Sequence, residues 1–153
     1  MTNIKICGIT TSEAMDAAID AGATHVGLVH FEPSPRHCSL AGASKLRAQA
    51  RGKAKTVLLL VNANIDTTSR AIDAVKPDVV QFHGTETPEW TELVRDQLKV
   101  EVWKAFGVQD SSTLARASRY IGKVDMMLYD APAKALPGGN GTGFDWSIVT
   151  NLV

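Results

Sequence analysis

The chain has 153 residues, 44% of them hydrophobic, and its 16 basic and 16 acidic side chains cancel to a formal net charge of zero. That length suits one domain with a real core, and the neutral balance excludes a strongly basic nucleic-acid binder or a polybasic membrane anchor. No apolar run approaches the roughly 18 residues of a membrane span, no signal peptide is visible in Met1-Thr2-Asn3-Ile4-Lys5, and Cys7 and Cys38 do not make a disulfide framework, so a reducing cytoplasm is the expected setting.

The first β-rich run, residues 3–7, ends on Cys7 before Gly8. Thr10-Thr11-Ser12-Glu13 fits a capping box, with Glu13 reaching back to the Thr10 backbone. It opens a helix with Met15, Ala18, Ile19 and Gly22 on one face. The second run, 25–31, leads into a proline-bounded loop, Pro33-Ser34-Pro35-Arg36. The third, 55–61, contains the continuous apolar segment Val57-Leu58-Leu59-Leu60-Val61 and is followed by Asn62. Asp66 is placed to cap a helix carrying Ile72 and Val75, which ends before Pro77. The fourth run, 79–83, ends on His83, and Thr87-Pro88 then reads as a cap followed by proline at the first helical position. The fifth run is 100–106, after which Asp110 or Ser111 starts a helix with Leu114 and Ala117. The sixth, 125–130, ends on Asp130. A glycine-rich stretch at 138–143 follows, and 145–153 reads as the start of a sixth helix.

Strands alternating with helices at this spacing predict βα units and a parallel sheet, and near-continuous apolar strands predict burial on both faces. No linker or low-complexity segment interrupts 1–153, so a single domain is expected. A doubly wound sheet would carry a glycine-rich fingerprint after its first strand, and Cys7-Gly8-Ile9-Thr10 is not one. Cys7, Arg36, Asn62, His83 and Asp130 instead stand at or after nearly every strand. In a (β/α)8 TIM barrel all such ends meet on one face, where the active site sits. The reading is therefore a (β/α)8-type α/β fold, with six βα units where a closed barrel has eight.

Each candidate residue also has a plainer explanation. A cysteine in an apolar strand is usually a small buried hydrophobe, but Cys7 is the last strand residue before a glycine. An aspartate after a strand often forms a turn, but Ala131-Pro132 follows Asp130 in place of an immediate helix. Arg36 can be a solvated surface arginine, His83 a satisfied core histidine, and the glycine run a surface loop. Cys38 keeps its plain reading.

Taken together, Lys5-Ile6-Cys7-Gly8-Ile9, Ser34-Pro35-Arg36, Val80-Gln81-Phe82-His83-Gly84, Leu128-Tyr129-Asp130 and Gly141-Thr142-Gly143-Phe144-Asp145-Trp146 resemble the phosphoribosylanthranilate isomerase family of tryptophan biosynthesis, from end to end of the chain. Phe82 stands where that family usually has leucine, and the loop 138–143 is a little longer than Gly-Gly-Thr-Gly. The resemblance implies an Amadori rearrangement of a phosphorylated aminoaldose to an aminoketose, with no cofactor and no metal. It implies Asp130 as the acid that opens the sugar ring and Cys7 as the base at C2. It makes Arg36 a fork for the anthranilate carboxylate, His83 a binding residue, and Gly141 part of a backbone cradle or lid. Such an acid needs a pKa raised well above about 3.9, which desolvation at a closed mouth would supply.

The family's phosphate is held by units seven and eight, so the chain reads as truncated, with activity reduced or lost. Open edges on its first and sixth strands would invite self-association. The contrasting expectation is a non-catalytic barrel fragment or assembly scaffold. A neighbouring phosphate-sugar barrel such as indole-glycerol-phosphate synthase relies on lysine and glutamate, where this chain offers a Cys/Asp pair.

Overall fold

The computed structural model describes residues 2–132, 143 and 145–150. Among the described residues six strands alternate with five α-helices: β1 Lys5–Cys7, α1 Ser12–Asp20, β2 His25–Val29, α2 Leu40–Ala50, β3 Lys55–Leu60, α3 Ile65–Val75, β4 Val79–Phe82, α4 Pro88–Leu98, β5 Glu101–Gly107, α5 Ser111–Ala117 and β6 Met126–Asp130. All neighbouring strands are parallel, in the order β1-β2-β3-β4-β5-β6.

Side-chain alternation divides the sheet into two faces. Val26, Leu28, Leu58, Leu60, Val80, Phe82 and Val102 pack with Met15, Ala43, Ala71, Val75 and Val94 of α1 to α4 in one core. Those helices therefore share one face, as in a barrel and unlike a doubly wound sheet. Val57, Val79 and Trp103 form a smaller cluster on the opposite face, joined by Leu128.

That second face is concave. Lys5 Nζ donates to Gln81 Oε1 at 2.7 Å, from β1 to β4. In a flat sheet those strands would stand about 14 Å apart, at about 4.8 Å per spacing. The sheet thus curls around the interior that Lys5, Cys7, Gln81 and Ala105 line. The four inner strands are largely buried, whereas β1 and β6 are only partly covered.

Two local expectations are corrected. Thr11, not Thr10, caps α1, its hydroxyl accepting from the Ala14 N–H at 3.2 Å, and no reach-back from Glu13 occurs. Asn64, not Asp66, caps α3, its Oδ1 accepting from the Thr67 N–H at 2.8 Å, while Asp66 sits inside the first turn. Asparagine at that position already satisfies the helix's orphan donor. Of the helix expected to start over 145–153, the described residues show a short 3-10 turn, Trp146–Ile148, with Asp145 accepting from the Ser147 N–H, and 151–153 lie outside them. Thr87 and Asp110 cap α4 and α5 where the sequence places them.

Candidate active site at the strand ends

Cys7 is the last residue of β1, paired in register with Gly27. The absence of a side chain at Gly27 makes room for the thiol, since a Cβ there would lie 2.6 Å from Cys7 Sγ. The Gly27 carbonyl accepts the N–H groups of Gly8 and Ile9 at 2.9 and 3.0 Å, turning the chain sharply after Cys7. Gly8 has φ +88, and a Cβ there would meet Arg36 Cδ at 2.5 Å. The Arg36 stem therefore lies over the turn beside the thiol.

The loop carrying Arg36 is held at both ends. Arg36 donates its N–H to Ser34 Oγ at 3.2 Å. The Cys38 N–H donates to the Val29 carbonyl at 2.7 Å, and His37 bridges back to Val29. Cys38 is buried, and burial pushes its thiol pKa up.

His83 follows β4, with its N–H on the Leu60 carbonyl at 3.1 Å. Its Nε2 stands 3.9 Å from Asp130 Oδ2, the His83 side chain being 10% exposed and that of Asp130 43%. Burial lowers the His83 pKa, the Asp130 carboxylate opposes this, and the Lys104 and Lys5 cations add to the lowering. Asp130 Oδ1 accepts from the Ala131 N–H at 2.8 Å. The expected burial of Asp130 is not found, because β6 lies at the sheet edge and has no strand beyond it among the described residues.

A cavity of about 270 Å³ brings these groups together, lined by Cys7, Arg36, His83 and Asp130 with Lys5 and Gln81. A second cavity of about 510 Å³ lies beyond His83, lined by Asn62, Lys104, Arg116 and Tyr120. Gly141 lies outside the described residues, as does all of the glycine run except Gly143. Among the described residues no group of three or more His, Cys, Asp or Glu is placed to hold a metal.

Asn62 has a structural place. Its φ is +51, and its Oδ1 accepts from the Thr85 N–H and hydroxyl at 2.7 and 3.0 Å. The sequence reading missed the group beneath it. Glu86 Oε1 accepts from the Asn62 N–H at 2.7 Å and Glu86 Oε2 from the Gly84 N–H at 2.9 Å. Lys104 Nζ lies 3.3 Å from Glu86 Oε2, both side chains at most 3% exposed. It also donates to the Gly84 and Ala105 carbonyls at 2.8 and 3.0 Å, and Tyr120 donates its hydroxyl to the Glu86 carbonyl at 2.6 Å. The signal available was a lysine inside the apolar run Val102-Trp103-Lys104-Ala105-Phe106, since a buried cation requires an anion. Lys5 and Gln81 were equally legible, each two residues before a candidate and so on its side of the strand.

The family model for N-(5'phosphoribosyl)anthranilate (PRA) isomerase matches residues 4–153. An N-(5'-phosphoribosyl)anthranilate isomerase of Erythrobacter litoralis is 60% identical over 152 residues, which cover 99% of this chain and 73% of that protein. Its counterpart in Rhizobium rhizogenes is 46% identical, with 98% and 69% covered. The crystal structure of phosphoribosyl anthranilate isomerase from Thermotoga maritima superposes with a TM-score of 0.88 at 28% identity, covering 99% of this chain and 71% of that one. A phosphoribosyl anthranilate isomerase in complex with reduced 1-(o-carboxyphenylamino)-1-deoxyribulose 5-phosphate superposes with a TM-score of 0.85 at 27% identity, covering 99% and 70%. A curled parallel sheet with a thiol, a guanidinium, an imidazole and a carboxylate around one cavity, matched by the family model across nearly its whole length, places this chain in the phosphoribosylanthranilate isomerase family.

Proposed function

We propose that the cavity bounded by Cys7 and Asp130 carries out the Amadori rearrangement of N-(5-phosphoribosyl)anthranilate. The observation supporting this is that one cavity of about 270 Å³ is lined by a thiol, a carboxyl group, a guanidinium and an imidazole drawn from the ends of β1, β4 and β6 and the loop after β2. The chemistry needs an acid and a base on one small sugar, and no net redox change. Asp130 protonates the ring oxygen, the C1–O bond breaks, and the nitrogen lone pair forms the open-chain iminium. Cys7 takes the C2 proton, and that electron pair becomes a C1–C2 double bond bearing the C2 hydroxyl. Tautomerisation of this enol, with protonation at C1, leaves the C2 ketone and a C1 amine. Positioned acid–base groups contribute about 10²- to 10⁴-fold each.

Arg36 presents a planar fork to the anthranilate carboxylate, a geometry that guanidinium matches in two parallel hydrogen bonds. His83, buried and shifted toward its neutral form, contacts the substrate between the two cavities. The reading places the protein in the reducing cytoplasm, where a thiol base remains reduced. No described helix is long and apolar enough to cross a membrane. It also includes association of copies through β1 and β6, whose outer edges have no strand partner among the described residues.

Turnover of the aminoaldose by the purified chain tests the proposal. Activity is expected to be lost in Cys7→Ala and Asp130→Asn while far-UV circular dichroism is unchanged. Absence of turnover in the unsubstituted chain would make it a non-catalytic barrel fragment, and full activity in both variants would remove the assigned roles.

A further inference from the structure

Lys5 is the one charged lining group of the Cys7 cavity, among the described residues, to which no role has been given. It lies two residues before Cys7 on β1, so strand alternation puts both on the concave face while Ile6 points away. Its ammonium is fixed. One N–H donates to Gln81 Oε1 at 2.7 Å, and Gln81 itself lies two residues before His83. Among the described residues the other two N–H groups have no protein acceptor, and Lys5 forms no ion pair. Lys104 differs: it meets Glu86 and two carbonyls, which uses all three of its donors.

The charges around the cavity do not cancel. Among the described lining residues Lys5 and Arg36 face a single carboxylate, Asp130, and His83 is shifted toward its neutral form. An excess cation in a concave, partly apolar site raises the local concentration of anions. We propose that Lys5, clamped across the sheet by Gln81, is a second anion-recognising residue of this cavity. Its free N–H donors give the floor beneath Cys7 a positive charge directed at the anionic, hydroxyl-bearing part of the ligand, separate from the Arg36 fork. The inference deepens the reading above and rests on this cavity being the substrate site.

The test compares alkylation of Cys7 by iodoacetate, an anion, and by iodoacetamide, its neutral analogue, with modification read on the Cys7 peptide by mass spectrometry. The ratio of the two rates reports charge at the thiol and cancels the thiol's own reactivity. Lys5→Gln keeps a polar partner for Gln81 and removes the charge, so the ratio is expected to fall on the order of fivefold at low salt, as loss of one nearby unit charge implies. Lys5→Arg is expected to hold it, and Gln81→Leu to lower it by releasing the clamp. Absence of Cys38 modification certifies that each variant is folded. Should Lys5→Gln unfold, the contrast between Lys5→Arg and Gln81→Leu carries the comparison.

An unchanged ratio in the neutral variant overturns the proposal, as does failure of either reagent to reach Cys7. The measurement needs no turnover. A lowered ratio in a chain that does not isomerise the aminoaldose would refute the catalytic reading and leave the role of Lys5 standing; turnover with an unchanged ratio would do the reverse.

Discussion

His83 Nε2 and Asp130 Oδ2 stand 3.9 Å apart although their strands, β4 and β6, are separated by β5. The curl of the sheet closes that gap. It also leaves His83 mostly buried against a carboxylate that is much more exposed, with Lys104 and Lys5 nearby.

This environment sets a pH dependence of stability. Burial, with help from Lys104 and Lys5 and opposed by Asp130, holds the folded pKa of His83 below its ordinary value of about 6.5. Between the two values the unfolded chain binds more protons, so acidification destabilises the fold. Stability is flat with respect to His83 above about pH 6.5 and falls as pH drops from there toward the folded value. His25, also lowered chiefly by burial, adds in the same sense. Urea midpoints measured between pH 7.5 and 5.5 are expected to decline, and His83→Gln is expected to flatten part of the decline. Equal slopes in the two proteins would show that His83 is not the group responsible.

Gly27 holds open the space for the Cys7 thiol. A Cβ at position 27 would sit 2.6 Å from Cys7 Sγ and 3.0 Å from Cys7 Cα. Gly27→Ala must push β1 or rotate the thiol, at about 1–3 kcal/mol of overpacking. Thermal melting should record that cost, and Cys7 alkylation should change while Cys38 stays protected. An alanine variant with unaltered stability and Cys7 labelling would mean that β1 is free to yield.

The Glu86–Lys104 pair organises the loop after β4. Its members are buried, and the Asn62 and Gly84 N–H groups both end on Glu86. Breaking a buried pair from one side leaves the other charge unpaired, at about 3–5 kcal/mol. Lys104→Met is therefore expected to lower the urea midpoint strongly, whereas the double substitution Glu86→Gln with Lys104→Met should recover part of the loss. A single variant within about 0.5 kcal/mol of the parent would contradict the assignment.

The outer edges of β1 and β6 are the places where a second copy could add a strand. Ile4 and Ile6 are exposed at one edge and Met126 at the other. Sedimentation velocity is expected to show concentration-dependent association, reduced by Ile6→Lys, because an edge charge opposes strand addition. A single monomeric species at all concentrations, with slow amide exchange in β1, would rule this out.

Much of this was written in the order of residues. Apolar strands alternating with capped helices implied a parallel sheet, because backbone hydrogen bonding and side-chain periodicity act within a few residues. The ends of those strands already carried Cys7, His83 and Asp130, and motif order was enough to indicate the family. What folding added was contact between residues remote in the chain. Lys5 meets Gln81 across 76 positions, and Glu86 meets Lys104 only when β4 and β5 align. Burial was also decided there. Asp130 ends a strand as read from the sequence, yet its exposure follows from its place at the sheet edge, and Asn62 proved to be a strand-end tie once its φ of +51 and its bonds to Thr85 were set. Local sequence specifies which groups are available; the curvature of the sheet specifies which of them share a cavity, because only closing the concave face brings non-adjacent strands within bonding distance.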